Sequence, residues 1–428
     1  IALTSCFTAK PQLPLQPTPT AFAAMSQDLA KFRGLQMRRD IVLTRDIPNL
    51  SEIDSYGPFK LQHVERVYRS LGLLPNNIEL AKAVAEYRKL AQLAVYDAAQ
   101  GTVALAPEAN RLSAAVAGSD SVHAREAPLE FAIVTALQEQ NFQWQQKINS
   151  DFLEDRRLAF RALASGDAML SIMARGNRSN DRKFTATDLA AGLRFARELE
   201  KSAARLPEFL RQKLIFPFRE GIQFAYWAHD AKGWPGVNAL YADPPVSTAQ
   251  IRHPEKYFIQ RELPKRFFPA ALLASMKDGP VVEQSFGEEL IRALLATTHS
   301  GKTASETATP WRGDQLFAFQ EGEDLTTAWY SSWASAAEAT AFQKVYRIVL
   351  EKRQRVRFDS AGGNSDRQDG QSRDRRAVTL QVHGPVVLYL AGVPAHRLNE
   401  FADKAWQDLE IDSDLTAASF DLAKRATH

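Results

Sequence analysis

The chain has 428 residues, of which 45% are hydrophobic and 24% are charged, enough for one large domain or two to three smaller ones. Its 53 basic and 50 acidic side chains leave a formal charge of +3, so composition gives no reason to expect a nucleic-acid partner. A single cysteine, Cys6, excludes an internal disulfide and a cysteine-based metal cluster.

The N-terminal residues 1–24 are rich in proline and threonine and are predicted to form an extended tail or a targeting segment. Leu3-Thr4-Ser5-Cys6 fits the end of a bacterial lipoprotein signal with Cys6 as the acylated residue, although a chance run of small residues is the alternative. Ala21-Phe22-Ala23 is a competing cleavage signal. We therefore expect an extracytoplasmic protein, in the periplasm, in a lumen or on the cell surface, with a lipid anchor at Cys6 as one option.

The next part of the chain is predicted to be mostly helical, with one hairpin. Asn77 is a candidate N-cap, and Gly72 with Pro75 should end the helix before it. In order, we expect a helix at 25–36, a short strand at 38–43, helices at 64–71 and 78–93, and a β-hairpin with strands at 94–97 and 101–105.

The stretch Leu129–Ile148 is predicted to be one helix of about five turns that begins after Pro128. Residues 107–127 before it are predicted to be a solvated loop. His123, Glu126 and Glu130 are candidates for a relocated metal site, but only on a continuous helix, which Pro128 should interrupt.

A partner helix is predicted at 155–174, followed by a polar loop at 175–184 and a helix from Thr185 or Thr187 to Ser202. Further on, Ser247 should cap a short helix. His253 precedes a proline and is interpreted as a hydrogen-bonded residue that pins its loop, with metal ligation as the alternative.

From residue 280 the pattern changes to strand-strand-helix-strand-strand-helix. We expect a helix at 286–298, a strand pair at 311–319 and 325–331, a helix at 334–353, and a strand pair at 378–382 and 386–392. This order favours one helix layer on an antiparallel sheet. Residues 358–376 are predicted to be a mobile loop or a loop ordered by a partner, in which Arg373, Arg375 and Arg376 are candidate anion-binding residues. Residues 411–428 are predicted to be a polar tail.

Three stretches carry a resemblance to one family: Ala136–Phe142 (ALQEQNF), Ser165–Ala168 (SGDA) and Asp243–Tyr257 (DPPVSTAQIRHPEKY). They resemble motifs of largely uncharacterised extracytoplasmic bacterial proteins related to HExxH (gluzincin-like) zinc peptidases. In that family the helix runs roughly His-Glu-x-x-His-Ala-Leu-Gln-Asp-Gln-His-Phe, and the third zinc ligand is the glutamate of Glu-Gly-Asp-Ala.

On this resemblance the two histidine positions are Phe131 and Thr135, the catalytic glutamate is Ala132 and the third ligand is Ser165. Phenylalanine and alanine cannot bind zinc or accept a proton from zinc-bound water, and a hydroxyl is a poor zinc ligand. The resemblance therefore implies a degenerate site with no metal and no cofactor. Glu139 and Asp167 remain nearby as an acid–base alternative, with helix-capping and supporting roles as the other interpretation.

The resemblance and the patterns together imply an α+β, mainly α-helical fold. It has a zincin-like helical core with a β-hairpin and edge sheet at 25–275, and a small antiparallel α+β subdomain at 280–410. We expect a non-catalytic structural or interaction subunit of a larger extracytoplasmic or membrane-associated assembly, with other protein subunits as partners. The alternatives are a peptide-binding module that uses the former substrate groove and a hydrolase with a relocated site.

Overall fold

The computed structural model describes residues 17–46, 56, 58–116, 122–151, 153–176, 186–359 and 366–412. Over these ranges the protein is α+β and mainly helical, with 56% helix and 18% strand, which confirms the predicted class. Cys6 and most of the expected C-terminal tail lie outside the described residues.

The helices of the described residues are, in chain order, α1 Pro19–Arg33, α2 Leu61–Ser70, α3 Leu80–Ala91, α4 Asn110–Val116, α5 Val122–Phe142, α6 Trp144–Ser150, α7 Glu154–Gly176, α8 Ala186–Ser202, α9 Glu208–Arg219, α10 Gly221–Ala239, α11 Thr248–Arg252, α12 Glu255–Phe258, α13 Ala270–Ser275, α14 Gly287–Ala296, α15 Gly301–Ala308, α16 Ala336–Val349 and α17 Leu398–Trp406.

The strands are β1 Val42–Thr44, β2 Ala94–Asp97, β3 Thr102–Leu105, β4 Arg266–Pro269, β5 Val282–Gln284, β6 Trp311–Glu321, β7 Asp324–Trp333, β8 Arg357–Phe358, β9 Arg367–Gln371, β10 Ala377–His383, β11 Val386–Val393 and β12 Leu409–Asp412. They form a three-stranded sheet of order β1-β3-β2, a seven-stranded sheet of order β5-β6-β7-β11-β10-β9-β8, and a β4–β12 pair.

The predicted hairpin is confirmed almost to the residue. β2 pairs with β3 in antiparallel register, from Ala94 opposite Leu105 to Asp97 opposite Thr102. The Asp97 carboxylate accepts hydrogen bonds from two backbone N–H groups of the turn, and Gly101 takes the left-handed conformation. Among the strands of the described ranges, β2 pairs only with β3, so it forms one edge of the sheet as described.

The prediction of a single long helix at 129–148 is wrong in two ways. The helix starts earlier, at Val122, and runs through Pro128, where the flanking Ala127 and Leu129 are buried. We attribute its continuity to that burial, which outweighs the lost backbone hydrogen bond. It ends at Phe142, because Gln143 adopts a left-handed φ of 54° and α6 starts afresh.

Several smaller expectations also need correction. The first helix begins at Pro19 rather than near residue 25, because the Thr18 side chain caps it and proline suits its first position. Asn77 does not cap α3, whose N-cap is Glu79. The segment 107–127, predicted as loop, contains α4 and the start of α5. Part of the predicted 358–376 loop is strand β9, which pairs with β10.

The large sheet buries both of its faces, so the prediction of a single helix layer is wrong. Alternate residues of β7 show this: Trp329 belongs to the main core, whereas Tyr330 packs in a second core that includes Phe401 of α17. Asp314 of β6 accepts hydrogen bonds from the indole N–H groups of Trp311 and Trp329.

One continuous core crosses the predicted boundary at residues 275–280. Helix α2, far upstream in the chain, lies against the large sheet: Tyr389 donates to the Ser70 carbonyl at 2.7 Å, and Tyr346 donates to that of Leu71 at 3.2 Å. Among the helices in the described ranges, none is both long enough and apolar enough to cross a bilayer.

Candidate binding cavity between helices α5 and α7

A cavity of about 120 Å³ lies between α5 and α7, next to the start of β2 and to α6. Phe131 and Thr135 of α5 contribute to one wall, and Ser165 of α7 to another. Residues four apart on a helix share a face, which explains why Phe131 and Thr135 line the same space. The structure therefore brings together three of the four positions that the resemblance singled out.

The fourth position, Ala132, is fully buried and is not among the residues that line the cavity. Thr135 donates its hydroxyl hydrogen to the Phe131 carbonyl at 2.9 Å, the usual bond of a helical threonine to the preceding turn. The described lining includes no histidine, cysteine or carboxylate side chain. A phenyl ring and two hydroxyls do not form a zinc site, so the implied zinc ion does not fit these residues.

The other metal candidates have different partners. Glu130 accepts a hydrogen bond from Arg175 at 2.7 Å, and His253 is 2.8 Å from a Glu288 carboxylate oxygen. The side chain of His123 lies outside the described part. Within the described ranges, no group of three or more histidine, cysteine, aspartate or glutamate side chains is arranged to hold a metal ion.

The interpretation of His253 as a pinning residue agrees with its geometry. Ser247 caps α11 as predicted, accepting a hydrogen bond from the Gln250 N–H. Together with Arg252, which pairs with Glu289, His253 then ties this loop to α14. The motif Asp243–Tyr257 thus holds the helical part against the C-terminal subdomain.

Asp167, one of the two candidate acid–base residues, is the centre of a fully buried network. It accepts hydrogen bonds from Arg33 of α1 at 2.7 Å, Gln138 of α5 at 2.9 Å and Tyr241 at 2.9 Å. The Arg33 guanidinium also stacks on Trp234, 3.9 Å from the ring centre. These contacts indicate a structural role, since each carboxylate oxygen of Asp167 has a donor.

Glu139 has a separate role. Its carboxylate accepts the Gln145 backbone N–H at 2.8 Å and so caps α6 just after the break at Gln143. Burial raises the pKa of Glu139, and nearby backbone donors and Lys147 lower it in part. The two carboxylates therefore have different partners and do not form a hydrogen-bonded pair.

The stretch Ser165–Ala168 contains a glycine, Gly166, at the point where helix α7 comes closest to the start of α10. A Cβ atom there would lie 2.1 Å from the backbone oxygen of Gly221, and a Cβ at Gly221 would lie 2.1 Å from that of Ala162. Helix α7 and the start of α10 thus approach backbone to backbone, which fixes the position of Ser165 at the cavity.

The roles of three residues in this region were not predicted from the sequence. Arg161 lines the cavity one helical turn before Ser165, so a scan of that helix face could have found it. Trp144 lines it because of the break at Gln143, for which the sequence has no glycine signal. Arg33 reaches Asp167 from α1, a contact that helical periodicity cannot reveal.

A family model matches the C-terminal part of the chain. Residues 275–402 match the model of a domain of unknown function, DUF8575. This segment runs from the end of α13 into α17 and contains the large sheet, but it covers less than a third of the chain and excludes the cavity. No curated protein and no solved structure matches the chain. The chain is thus similar to that domain in its C-terminal part.

Proposed function

We propose that this protein is a non-catalytic interaction subunit with a pseudo-metallopeptidase scaffold, working in a larger extracytoplasmic or membrane-associated assembly. One observation carries the proposal: Phe131, Thr135 and Ser165 converge on one cavity from two helices, yet offer no donor set for zinc. On the resemblance these are the positions of zinc ligands, and the side chains present at them cannot coordinate zinc.

The surrounding contacts support a retained scaffold. The Asp167 network and the close approach at Gly166 are both adjacent to Ser165, and they fix α7 against α1, α5 and α10. An interaction protein needs such a rigid framework even when it performs no reaction.

Rebuilding the zinc site tests this proposal directly. We expect the unmodified protein to contain no stoichiometric zinc by plasma mass spectrometry and to cleave no casein. The combined variant Phe131→His, Thr135→His and Ser165→Glu should bind one zinc ion per chain, because it places two imidazoles and one carboxylate at positions that line one cavity.

Two results would contradict the proposal. Stoichiometric zinc or peptidase activity in the unmodified protein would show that the chemistry persists. A folded combined variant that binds no zinc, judged by circular dichroism and equilibrium dialysis, would show that the helix pair lacks zincin geometry. A matched control, Ala23→His with Gln27→His, places two histidines four residues apart at exposed positions of α1, without a third ligand, and should bind no stoichiometric zinc.

A peptide-binding module is the second candidate, and the edge position of β2 favours it. Ala94, the first residue of β2, is half-buried and borders the cavity. Tyr96, two residues on, is only 3% exposed, and its hydroxyl accepts a hydrogen bond from Gln140. A peptide added to this edge would therefore contact the first half of the strand rather than Tyr96.

A further inference from the structure

We propose that the cavity between α5 and α7 binds a small, uncharged, apolar molecule of about the size of benzene or toluene. The inference goes beyond the proposed function, because a subunit that performs no reaction can still carry a bound ligand. It depends on four features of the cavity: its buried apolar wall, the internal hydrogen bonds of its buried polar side chains, its charge and its volume.

The buried part of the lining is mainly apolar. Leu93, Phe131, Ile148 and Phe218 belong to it and are each at most 6% exposed, and Ala164 is 2% exposed. The more exposed part of the lining carries most of the polar side chains, namely Gln92, Gln145, Asn149, Arg161 and Ser165. A ligand that reaches the buried part therefore exchanges water for apolar side chains, which favours an apolar ligand.

Two polar side chains also belong to the buried part, and their hydrogen atoms are donated within the protein. Gln138 donates its side-chain amide to Asp167 at 2.9 Å and to the Ala164 carbonyl at 3.0 Å. Thr135 donates its hydroxyl to the Phe131 carbonyl at 2.9 Å. A polar ligand would have to break these bonds to gain a donor from either side chain, so a ligand that needs none is favoured.

The charge of the lining also favours an uncharged ligand. The described lining contains no aspartate or glutamate, so a bound cation would have no counter-charge there. Its one basic residue, Arg161, is half-buried and already donates to the Tyr87 hydroxyl. Removing an ion from water without a partner costs far more free energy than removing a neutral molecule of the same size.

The volume of the cavity sets the size of the ligand. It is about 120 Å³. An apolar cavity of roughly 150 Å³ binds benzene, so a single ring or a branched chain of similar size is expected to fit. Phe131, Trp144 and Phe218 contribute aromatic rings to the wall, and such rings pack well against another ring. Two fused rings or a long acyl chain would exceed the space.

Fluorine NMR titration of the full chain with four probe molecules tests the inference. Fluorobenzene is the neutral probe, para-fluorobenzoate the anion, para-fluorobenzylammonium the cation and fluoronaphthalene the larger neutral molecule. We expect fluorobenzene to bind saturably at one site. The two ions should bind at least about tenfold more weakly, because each would leave water without a free counter-charge. Fluoronaphthalene should not bind, because it is too large.

Variants of the lining locate the site. Ala164→Leu places a larger apolar side chain in the buried wall and should abolish binding of fluorobenzene. The matched control is Ala337→Leu, at an exposed position of α16 that is not part of the lining, and it should bind fluorobenzene as the unmodified protein does. Ala91→Phe, at a half-buried position of the lining, provides a second test if Ala164→Leu does not fold by circular dichroism.

Three results would overturn the inference. Absence of fluorobenzene binding would show that the cavity holds only water. Unchanged binding in folded Ala164→Leu or Ala91→Phe would place the bound molecule elsewhere. Binding of either ion as tightly as fluorobenzene would show that the site does not select uncharged molecules.

A competition experiment separates a free molecule from a peptide. The C-terminal amide of N-acetyl-Ala-Ala-Leu should not displace fluorobenzene at concentrations at which fluorobenzene itself saturates the protein. Displacement at lower concentrations would overturn the inference in favour of the peptide-binding candidate. None of these outcomes affects the zinc experiment, which tests the non-catalytic proposal separately.

Discussion

The helix pair α5–α7 has two regions that differ in packing: one is a buried network of paired polar groups, and the other borders a cavity. Around Asp167, donors from α1, α5 and the turn after α10 meet one carboxylate, and the Arg33–Asp167 ion pair is fully buried. Around Phe131, Thr135 and Ser165, the same two helices border a cavity whose described lining contains no aspartate or glutamate. The contacts of the first region hold the helices in place, and we expect the second region to tolerate substitution without loss of the fold. The following substitutions test this difference.

The largest effect is expected for Asp167→Asn. Removing the carboxylate leaves the Arg33 guanidinium buried without a counter-charge, which should lower the free energy of unfolding by about 3–5 kcal/mol. Chemical denaturation measures it. The control Asp243→Asn breaks the solvent-exposed pair with Arg261 and should cost at most about 1 kcal/mol. Comparable losses in the two variants would contradict a central role for Asp167.

Gly166→Ala should have the next largest effect. The new methyl group would meet the Gly221 backbone oxygen at 2.1 Å, and neither helix backbone can move cheaply, so a loss of about 1–3 kcal/mol is expected. Gly301→Ala is the matched control, because that helical glycine has no atom within 4 Å of the added position. It should leave stability unchanged or raise it by a few tenths of a kcal/mol.

A pH effect is expected for Glu130, at another contact of α5 with α7. Burial raises the pKa of Glu130 to about 7, despite the adjacent Arg175. The folded protein thus keeps a proton on this group between pH 4.5 and about 7, where the unfolded chain has lost it, so its contribution to stability falls as the pH rises through that window. Glu130→Gln should make the decline of unfolding free energy with pH shallower there. An unchanged slope would show that the folded pKa is not raised.

The smallest effect is expected at the cavity wall. Ser165→Ala removes a hydroxyl that lines the cavity and makes no internal contact comparable with those of Asp167, so stability should change by less than about 0.5 kcal/mol. Chemical denaturation of Ser165→Ala and Asp167→Asn under the same conditions measures the change in unfolding free energy of each variant. A loss above about 2 kcal/mol would show that the cavity wall is as constrained as the buried network.

Local patterns predicted much of this architecture. The hairpin at 94–105, helix α7 and the strand pairs β6–β7 and β10–β11 carry strong periodicity and turn residues, and the structure has them close to the predicted bounds. The convergence of Phe131, Thr135 and Ser165 was expected from the resemblance, since it fixes positions relative to one another.

What could not be predicted depends on contacts between distant parts of the chain. The helix through Pro128 and the left-handed Gln143 go against local preference, and tertiary packing decides them. The pairing of Arg33 with Asp167 links residues on different helices with no shared motif. Strand β9 lies in a polar, glycine-containing segment and is stabilised by pairing with β10 and β8 rather than by its own sequence.

The packing of α2 on the large sheet has a consequence for the segment that matches DUF8575. That segment lacks residues 61–71, so if it were excised, Tyr389 and Tyr346 would lose the Ser70 and Leu71 carbonyls that accept their hydrogen bonds, and the apolar surface beside them would meet water. A relative that carries the segment on a different N-terminal part must therefore bring its own cover for this sheet. The surface that replaces α2 in such a relative would have to fit the same face of the large sheet.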